Sequence, residues 1–405
     1  MKRIKYGAID VGTTKVCTII ADNGGASGLR ILGVGITPSY GMHKGMVVDV
    51  NTARDSIRKS VRMAEQVAGF KMESANVGIT GRHITSTNTQ GAIAITRQDQ
   101  LVRSKDLRRV LDVARSVKVS GESKLLHVIP RTYKVDGQEG IKNPVGMHGF
   151  RLDVETHVIT AAITSIQNLT KCIRSLGIEV EDLILEPLAS GEAVLTPEEK
   201  EDGVMLADIG GGTTDLAVFK SSTVYYTSVI PVAGYQVTRD ISVGLGLSFE
   251  LAEEMKRKYG NVTPGDDSSL KPESAMTHDG HSISYSDLSE IIRVRVEELV
   301  RLIMLELPQS EYPKIIPSGI VLTGGGANLP GIAELAEGIT HLPVRIGVPF
   351  QLDGVSDSLL DPCYATSVGL LLWPLKTRTP QELSAKSTGF KRFVTRVLQL
   401  FATTR

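Results

Sequence analysis

The sequence has 405 residues, 41% of them hydrophobic and 22% charged, the balance of an ordinary folded protein, which excludes collagen-like and wholly disordered chains. Forty-five basic side chains oppose forty-five acidic ones, which argues against a surface given over to nucleic acid. The charge is uneven: residues 376–405 hold seven Lys/Arg and one acid, Glu382, so this tail is +6 and residues 1–375 are −6, and an anionic partner is expected for the tail alone. The length suits about two to four domains. Cys17, Cys172 and Cys363 form no disulfide framework or CxxC metal site, and a reducing cytosol is expected. Residues 1–10 run straight into a strand-like segment without the apolar stretch of a signal peptide. No run approaches 18 apolar residues, so no bilayer-spanning helix is expected.

In chain order, residues 4–10 read as a buried strand, 10–15 as a tight turn and 16–22 as a second strand. Residues 52–68 set Ala53, Ile57, Val61, Ala64 and Ala68 at helical spacing. A helix over 167–176 ends at Gly177, a fitting C-cap, and a small-residue helix over 187–195 closes at Thr196-Pro197. Residues 204–208, 208–215 and 216–220 repeat the opening strand, turn and strand. A helix over 248–259 ends at Gly260, and the polar stretch 261–285 reads as a surface excursion. Residues 286–307 form a long amphipathic helix stopped by Pro308, and 376–389 have the composition of a flexible linker. At no more than about 3.5 Å per residue, that linker reaches about 50 Å.

The two turns are Asp10-Val-Gly-Thr-Thr-Lys15 and Asp208-Ile-Gly-Gly-Gly-Thr-Thr-Asp215. Two copies of one Asp-x-Gly and Thr-Thr chemistry predict two similar α/β halves facing each other, not a short repeat array. Gly12, Gly210, Gly211 and Gly212 let the backbone approach a ligand and aim N–H groups at it. Thr13, Thr14, Thr213 and Thr214 add hydroxyl donors, and Lys15 adds a fixed positive charge. Together these make a cradle for a polyphosphate, with Asp10 and Asp208 at strand ends to hold Mg²⁺ through water. No GxxxxGK[ST] loop occurs, and no GxGxxG opens a helix after a strand. Glycines alone would only make hairpin turns; matching acids and threonines in both copies favour a ligand. A third cluster, Gly324, Gly325 and Gly326 with Asn328 in the same turn, follows a buried strand and would let the chain pass flat against a nucleoside. Segments 186–191 and 361–369 each open a further helix with an acidic residue.

These motifs, in this order, resemble the superfamily of actin, heat-shock-chaperone and sugar-kinase ATPases. The resemblance implies an ATP cleft between two halves, with Glu186 near the attacking water and Glu253 and Lys256 at the ribose and adenine. An ion pair of i,i+3 neighbours is the plainer reading of those last two. Residues 77–84, 127–130, 136–152 (DGQEGIKNPVGMHGFRL) and 157–160 narrow the match: from residue 5 to about 375 the chain is similar to the FtsA family of bacterial cell-division proteins.

That similarity implies an α/β, actin-like duplicated ATPase fold with two halves around a nucleotide cleft and an FtsA-type subdomain 1C. Subdomain 1A would comprise 1–83 and 163–202, 1C 84–162, 2A 203–237 and 320–375, and 2B 238–319. It further implies ATP and Mg as cofactors, with weak or no hydrolysis. Such a protein polymerises with itself, binds the C-terminal peptide of FtsZ through Arg295, and gathers other divisome proteins. It tethers the Z ring to the cytoplasmic face of the cell membrane as a peripheral protein. Two departures stand out: Arg293-Val294 replaces the Glu-Pro usual in relatives, and the tail has no tryptophan.

The tail supports a membrane role on its own residues. Phe390, Phe393, Val394, Val397, Leu398 and Phe401 fall on one helical stripe, and Lys391, Arg392 and Arg396 lie opposite. A basic amphipathic segment with aromatic residues is an in-plane anchor to an anionic membrane surface; a docked C-terminal helix is the alternative. Three other functions compete. A small-molecule kinase would need a catalytic Asp near a substrate pocket, and none stands out. A chaperone-like ATPase would need a substrate domain after residue 380. A PilM-like pilus-assembly scaffold shares the phosphate motifs and the 1C arrangement, but not the 136–152 string.

Overall fold

The computed structural model describes residues 5–24, 28–116, 121–263, 276–278, 281–307, 312–354 and 357–377. The chain opens with strands β1 (Lys5–Val11), β2 (Lys15–Asp22) and β3 (Arg30–Pro38). A small hairpin, β4 (Met42–His43) and β5 (Met46–Val47), precedes helix α1 (Val50–Ala68) and strand β6 (Ser74–Ile79). An insertion then supplies β7 (Ile84–Ala94), α2 (Ser104–Arg115), β8 (Ser123–Val135), β9 (Gln138–Ile141) and β10 (Arg151–Ala162). The first half resumes with α3 (Ile163–Arg174), β11 (Glu179–Leu185), α4 (Glu186–Val194) and α5 (Pro197–Asp202).

The second half begins with β12 (Val204–Ile209), β13 (Thr214–Lys220) and β14 (Thr223–Ile230). Helices α6 (Gly234–Leu245) and α7 (Phe249–Tyr259) lead to a two-stranded ribbon, β15 (Met276–His278) and β16 (His281–Ile283). Then follow α8 (Tyr285–Leu305), α9 (Tyr312–Ile315), β17 (Ile320–Thr323), α10 (Ile332–Thr340), β18 (Val344–Ile346), β19 (Asp353–Gly354) and α11 (Ala365–Thr377).

The expected duplication is written in the sheet order. The first sheet runs β11-β6-β1-β2-β3-β19 and the second β18-β17-β12-β13-β14. In each, a central strand pairs antiparallel with its successor and parallel with a strand on its other side: β1 with β2 and β6, and β12 with β13 and β17. Strands β1, β2, β12 and β13 are almost wholly buried apolar runs, as strands covered on both faces must be. Two helices pass between the sheets. Helix α4, from the first half, lies on β12 and β13, whereas α11 lies on β1, β2 and β6. They cross at Gly369, where any Cβ would collide with the Ala189 carbonyl. This crossing brings the C-terminal ends of both central strands to one line.

The insertion forms its own sheet, β7-β10-β8-β9, with α2 on one face. A separate small core of Tyr133, Leu152, Val154, Val110 and Leu111 holds it together. It is tied to the second half as well as the first. The Ser86 hydroxyl donates to the Thr227 carbonyl of β14 (2.8 Å), and buried His157 is hydrogen-bonded to the Thr227 hydroxyl (2.9 Å). Burial, and then the nearby Arg131 charge, push His157 down to about 4, so it stays neutral there.

Helix boundaries depart from the sequence reading where caps lie outside the apolar pattern. Asp49 accepts from the Asn51 and Thr52 N–H groups and starts α1 two residues early. Helix α3 starts at Ile163 with no side-chain cap to announce it, and α8 stops at Leu305, before Pro308. Helix α11 runs through Lys376 and Thr377, the first two residues of the expected linker. Its Lys376 ammonium donates to Glu192 (3.0 Å), which also pairs with buried Lys200 (3.0 Å). The remaining linker, and Phe390, Lys391, Arg392, Phe393, Val394, Arg396, Val397, Leu398 and Phe401, lie outside the described residues. Among the described residues no helix is long and apolar enough to cross a membrane.

Candidate nucleotide site

The line where the two halves meet is a small cavity of about 110 Å³. Asp10, Gly12, Thr13, Thr14, Lys15, Glu186, Asp208, Gly210, Gly211, Gly212, Thr213, Gly324 and Gly325 all line it. The two turns close in the same way. Gly12 N–H donates to the Lys15 carbonyl and Gly210 N–H to the Thr213 carbonyl, each at 2.9 Å. Asp10 is paired with Cys17 across its hairpin and Asp208 with Asp215 across the other.

That register corrects the reading of matching threonines. Thr13 and Thr14 occupy the positions of Gly211 and Gly212, Lys15 that of Thr213, and Val16 that of Thr214. Thr214 is fully buried in β13 and its hydroxyl donates to the Val232 carbonyl (2.8 Å), so it does not face the cavity. The turns meet face to face: a Cβ on Gly211 would strike Thr14, and one on Gly212 would strike Thr13. Glycine on one side is required because threonine stands on the other.

Four other expected residues stand outside the lining. The Cβ position of Gly326 is filled by Ile209; this glycine serves close approach of the short 3₁₀ turn 325–328 to β12. Asn328 donates to Asp361 (2.9 Å), whose carboxylate also caps the turn at 362–364. Glu253 and Lys256 form the i,i+3 ion pair (2.6 Å). Lys256 also donates to the Gly234 carbonyl (3.2 Å), and Gly234 N–H donates to the Gly210 carbonyl (3.1 Å), so the pair braces the second turn from behind. Gly324 has φ 82°, and a Cβ there would run into the Asp208 carboxylate; only glycine fits.

The cavity is crowded with acid. Lys15 donates to Asp10 at 3.3 Å and the Ser367 hydroxyl donates to the same carboxylate at 2.7 Å. Asp208 accepts from the Ser190 and Thr366 hydroxyls, the latter at 2.9 Å. Asp215 accepts from the hydroxyls of Thr80 and Thr213, the latter at 2.9 Å. Burial, and then the carboxylates of Asp10, Asp215 and Asp208, push Glu186 well above the usual glutamate range. Burial likewise raises Asp208 and pushes Asp215 up to about 7. Burial would lower the Lys15 ammonium, but the Asp10 charge foremost outweighs it and the net direction is upward. Three buried carboxylates and half-buried Glu186 crowd one ammonium, an acidic site that a cation would relieve. Among the described residues no group of three or more His, Cys, Asp or Glu can ligate an ion directly. A magnesium ion would therefore take most of its ligands from water and phosphate, as that ion usually does. The donor set fits it.

Sequence reasoning passed over Thr80, Asp215, Thr366 and Gly45 as site residues, although all four line the cavity. Asp215 closes the quoted second motif, and Thr366 lies in the 361–369 segment. Gly45 carries no signal at all.

Arg295 lies elsewhere, on α8. It is not a free surface arginine: its guanidinium bridges Asp240 of α6 and Glu298. Arg293 is likewise held by Glu290 (2.8 Å) and Glu297 (2.6 Å). Val294 between them in sequence and Val243 of α6 are exposed.

Comparison with known proteins agrees with this architecture. The family model described as Cell division protein FtsA matches residues 205–369, and that described as SHS2 domain inserted in FTSA matches residues 81–160. Cell division protein FtsA of Pseudomonas aeruginosa is 42% identical over 374 residues, spanning 92% of this chain and 89% of the relative. The FtsA of Bacillus subtilis is 36% identical, spanning 95% of this chain and 86% of the relative. Among solved structures, the PilM-PilN type IV pilus biogenesis complex superposes with a TM-score of 0.65 at 17% identity, covering 91% of this chain and 97% of that one. MreB5 of Spiroplasma citri bound to ADP gives 0.56 at 15% identity, covering 91% and 96%. At those identities the likeness is one of fold, the actin-like fold, and it is the curated relatives that separate this chain from the pilus scaffold. By its identity to them over nearly its whole length, the chain belongs to the FtsA family of cell-division proteins.

Proposed function

We propose that this protein binds ATP with Mg²⁺ between its halves, polymerises, and holds FtsZ to the cytoplasmic face of the cell membrane. The observation that carries the reading is the face-to-face pair of phosphate turns in a chain of this family. The backbones of the two turns would offer their remaining N–H groups to phosphate oxygens, and Thr13, Thr14 and Lys15 add donors. Asp10 and Asp208 would hold Mg²⁺ through water, and the ion would supply charge neutralisation for the phosphates. MreB5 of the same fold has been seen with ADP and with AMPPNP. Burial and then its acidic neighbours raise Glu186 above the usual glutamate range, which favours its protonated form and makes it a weak orienter of water. Slow or undetectable hydrolysis suits a tether, which needs only binding.

The 238–319 region would take the FtsZ C-terminal peptide beside Arg295, an acidic-apolar segment suiting an arginine on a helix that also exposes Val294. Other divisome proteins would join the same polymer. The tail 390–405 would lie in the membrane interface, each basic residue near an anionic leaflet adding about 1 kcal/mol. One such tail binds reversibly; aligning many on a filament raises avidity by roughly 10²–10⁴. Co-sedimentation with anionic vesicles, with FtsZ added, tests this. The intact protein should carry FtsZ down, and Phe393→Glu, Val397→Asp or deletion of 390–405 should leave both in solution. Arg295→Gln should lose FtsZ while the protein itself still sediments. FtsZ pelleting equally with the tailless protein would overturn the tether.

A further inference from the structure

The hairpin β4–β5 belongs to none of the three large sheets. Its ladder is two residues long, Met42 opposite Val47 and His43 opposite Met46. So short a ribbon has little stability of its own, so its position is set by what it touches. Its two-residue tip, Lys44 at φ 47° and Gly45 at φ 74°, is left-handed at both residues. Glycine adopts that conformation freely and lysine rarely does, so the surroundings hold the tip in place.

Those surroundings are both halves of the cleft. Gly45 N–H donates to the Thr13 hydroxyl of the first turn (3.3 Å). The Lys44 backbone rests on the second turn, where a Cβ on Gly212 would come within 2.9 Å of the Lys44 Cα. Gly45 also lies against Thr80, at 2.9 Å from its would-be Cβ, and Thr80 in turn hydrogen-bonds Asp215. Beside the tip, the exposed His43 ring stands edge-on to Tyr235 of α6, with centroids 5.7 Å apart and planes at 88°. Tyr235 N–H donates to the Gly211 carbonyl (2.7 Å). The hairpin therefore grows from the first half and closes onto the second at two points. Opening the cleft must part Lys44 from Gly212 and His43 from Tyr235.

We propose that this hairpin is a strap that bars nucleotide release by bridging the two phosphate turns, with His43 on Tyr235 as its latch. The proposal rests on the nucleotide reading of the cleft. Phosphate occupancy tightens Thr13 and Gly212, the residues the tip touches, and the latch holds the halves together while they are occupied. Losing an edge-on aromatic pair should speed release by about three- to tenfold.

The experiment is stopped-flow release of a fluorescent ATP analogue with Mg²⁺, chased by excess ATP, on the full chain. His43→Ala should release it faster by about three- to tenfold, with the melting temperature of the nucleotide-free protein lowered by no more than about 4 °C. His43→Phe, which keeps a ring, should restore slow release. Tyr235→Ala should speed release too, and combining it with His43→Ala should add little. Unchanged release in His43→Ala, or fully additive effects in the double variant, would overturn the strap. No saturable binding of the analogue to the unaltered protein would instead overturn the nucleotide site itself.

Discussion

In the first turn, Asp10 shares its buried position with the Lys15 ammonium; in the second, Asp208 and Asp215 receive only hydroxyls. The two turns close with the same hydrogen bond in the same register, and the strands on either side pair in the same way. Duplication has thus kept the geometry and divided the chemistry. One half carries its own counter-charge. The other keeps its carboxylates raised by burial and, among the described residues, has no ammonium of its own beside them, which is why the proposed cation is placed there. Bulk is divided in the same way, threonines on the first turn meeting glycines on the second.

The largest effect should come from removing the first half's counter-charge. Lys15→Ala leaves Asp10 buried with a single serine hydroxyl, and breaking a buried pair costs about 3 kcal/mol or more. Denaturant unfolding without nucleotide should read that loss, and a calorimetric titration should find ATP binding abolished. Next comes the division of bulk. Gly211→Ala forces a methyl against Thr14 and should cost about 2 kcal/mol by overpacking. Adding Thr14→Gly should recover much of the melting temperature; if the two changes merely add, the turns do not touch.

A subtler effect separates the halves by pH. Asp215 titrates near its ordinary value of 3.8 when unfolded and at about 7 when folded. Between those values the native state holds a proton that the unfolded state has lost, so this group's stabilisation is complete below about pH 4 and fades as pH rises towards 7. From pH 5 to 7 the nucleotide-free protein should therefore lose thermal stability relative to Asp215→Asn, a comparison from which the opposing titration of His157 cancels. A slope unchanged by the substitution would place the titration elsewhere. The smallest effect belongs to Thr214. Thr214→Val loses one hydrogen bond to Val232 and should cost about 1 kcal/mol, with ATP affinity unaltered. A large loss of affinity would return Thr214 to the site.

What was legible beforehand follows from the kind of signal each feature leaves. Asp10, Gly12, Asp208 and Gly210 announce the duplication because backbone approach restricts those positions to acid and glycine. The Thr-Thr pairs misled because an identical dipeptide occurs two positions later in the second turn, and string likeness does not see hairpin register. Glu253 and Lys256 sit at helical spacing that fits an ion pair or a ligand contact equally; the geometry supplies the pair. The ion pair of Arg295 was not legible because its partner Asp240 is on another helix. The strap was invisible: residues 41–48 have neither periodicity nor charge pattern, and their meaning lies in which turns they touch.

The most direct test of the divided chemistry is a calorimetric titration of ATP into nucleotide-free protein, with Mg²⁺ and with EDTA, for the unaltered chain and Asp208→Asn. The account predicts saturable binding that Mg²⁺ strengthens roughly tenfold or more, a gain of about 1.4 kcal/mol, and a Mg²⁺ effect that largely vanishes in Asp208→Asn. Binding of equal strength with and without Mg²⁺, or the same Mg²⁺ gain in Asp208→Asn, would contradict it.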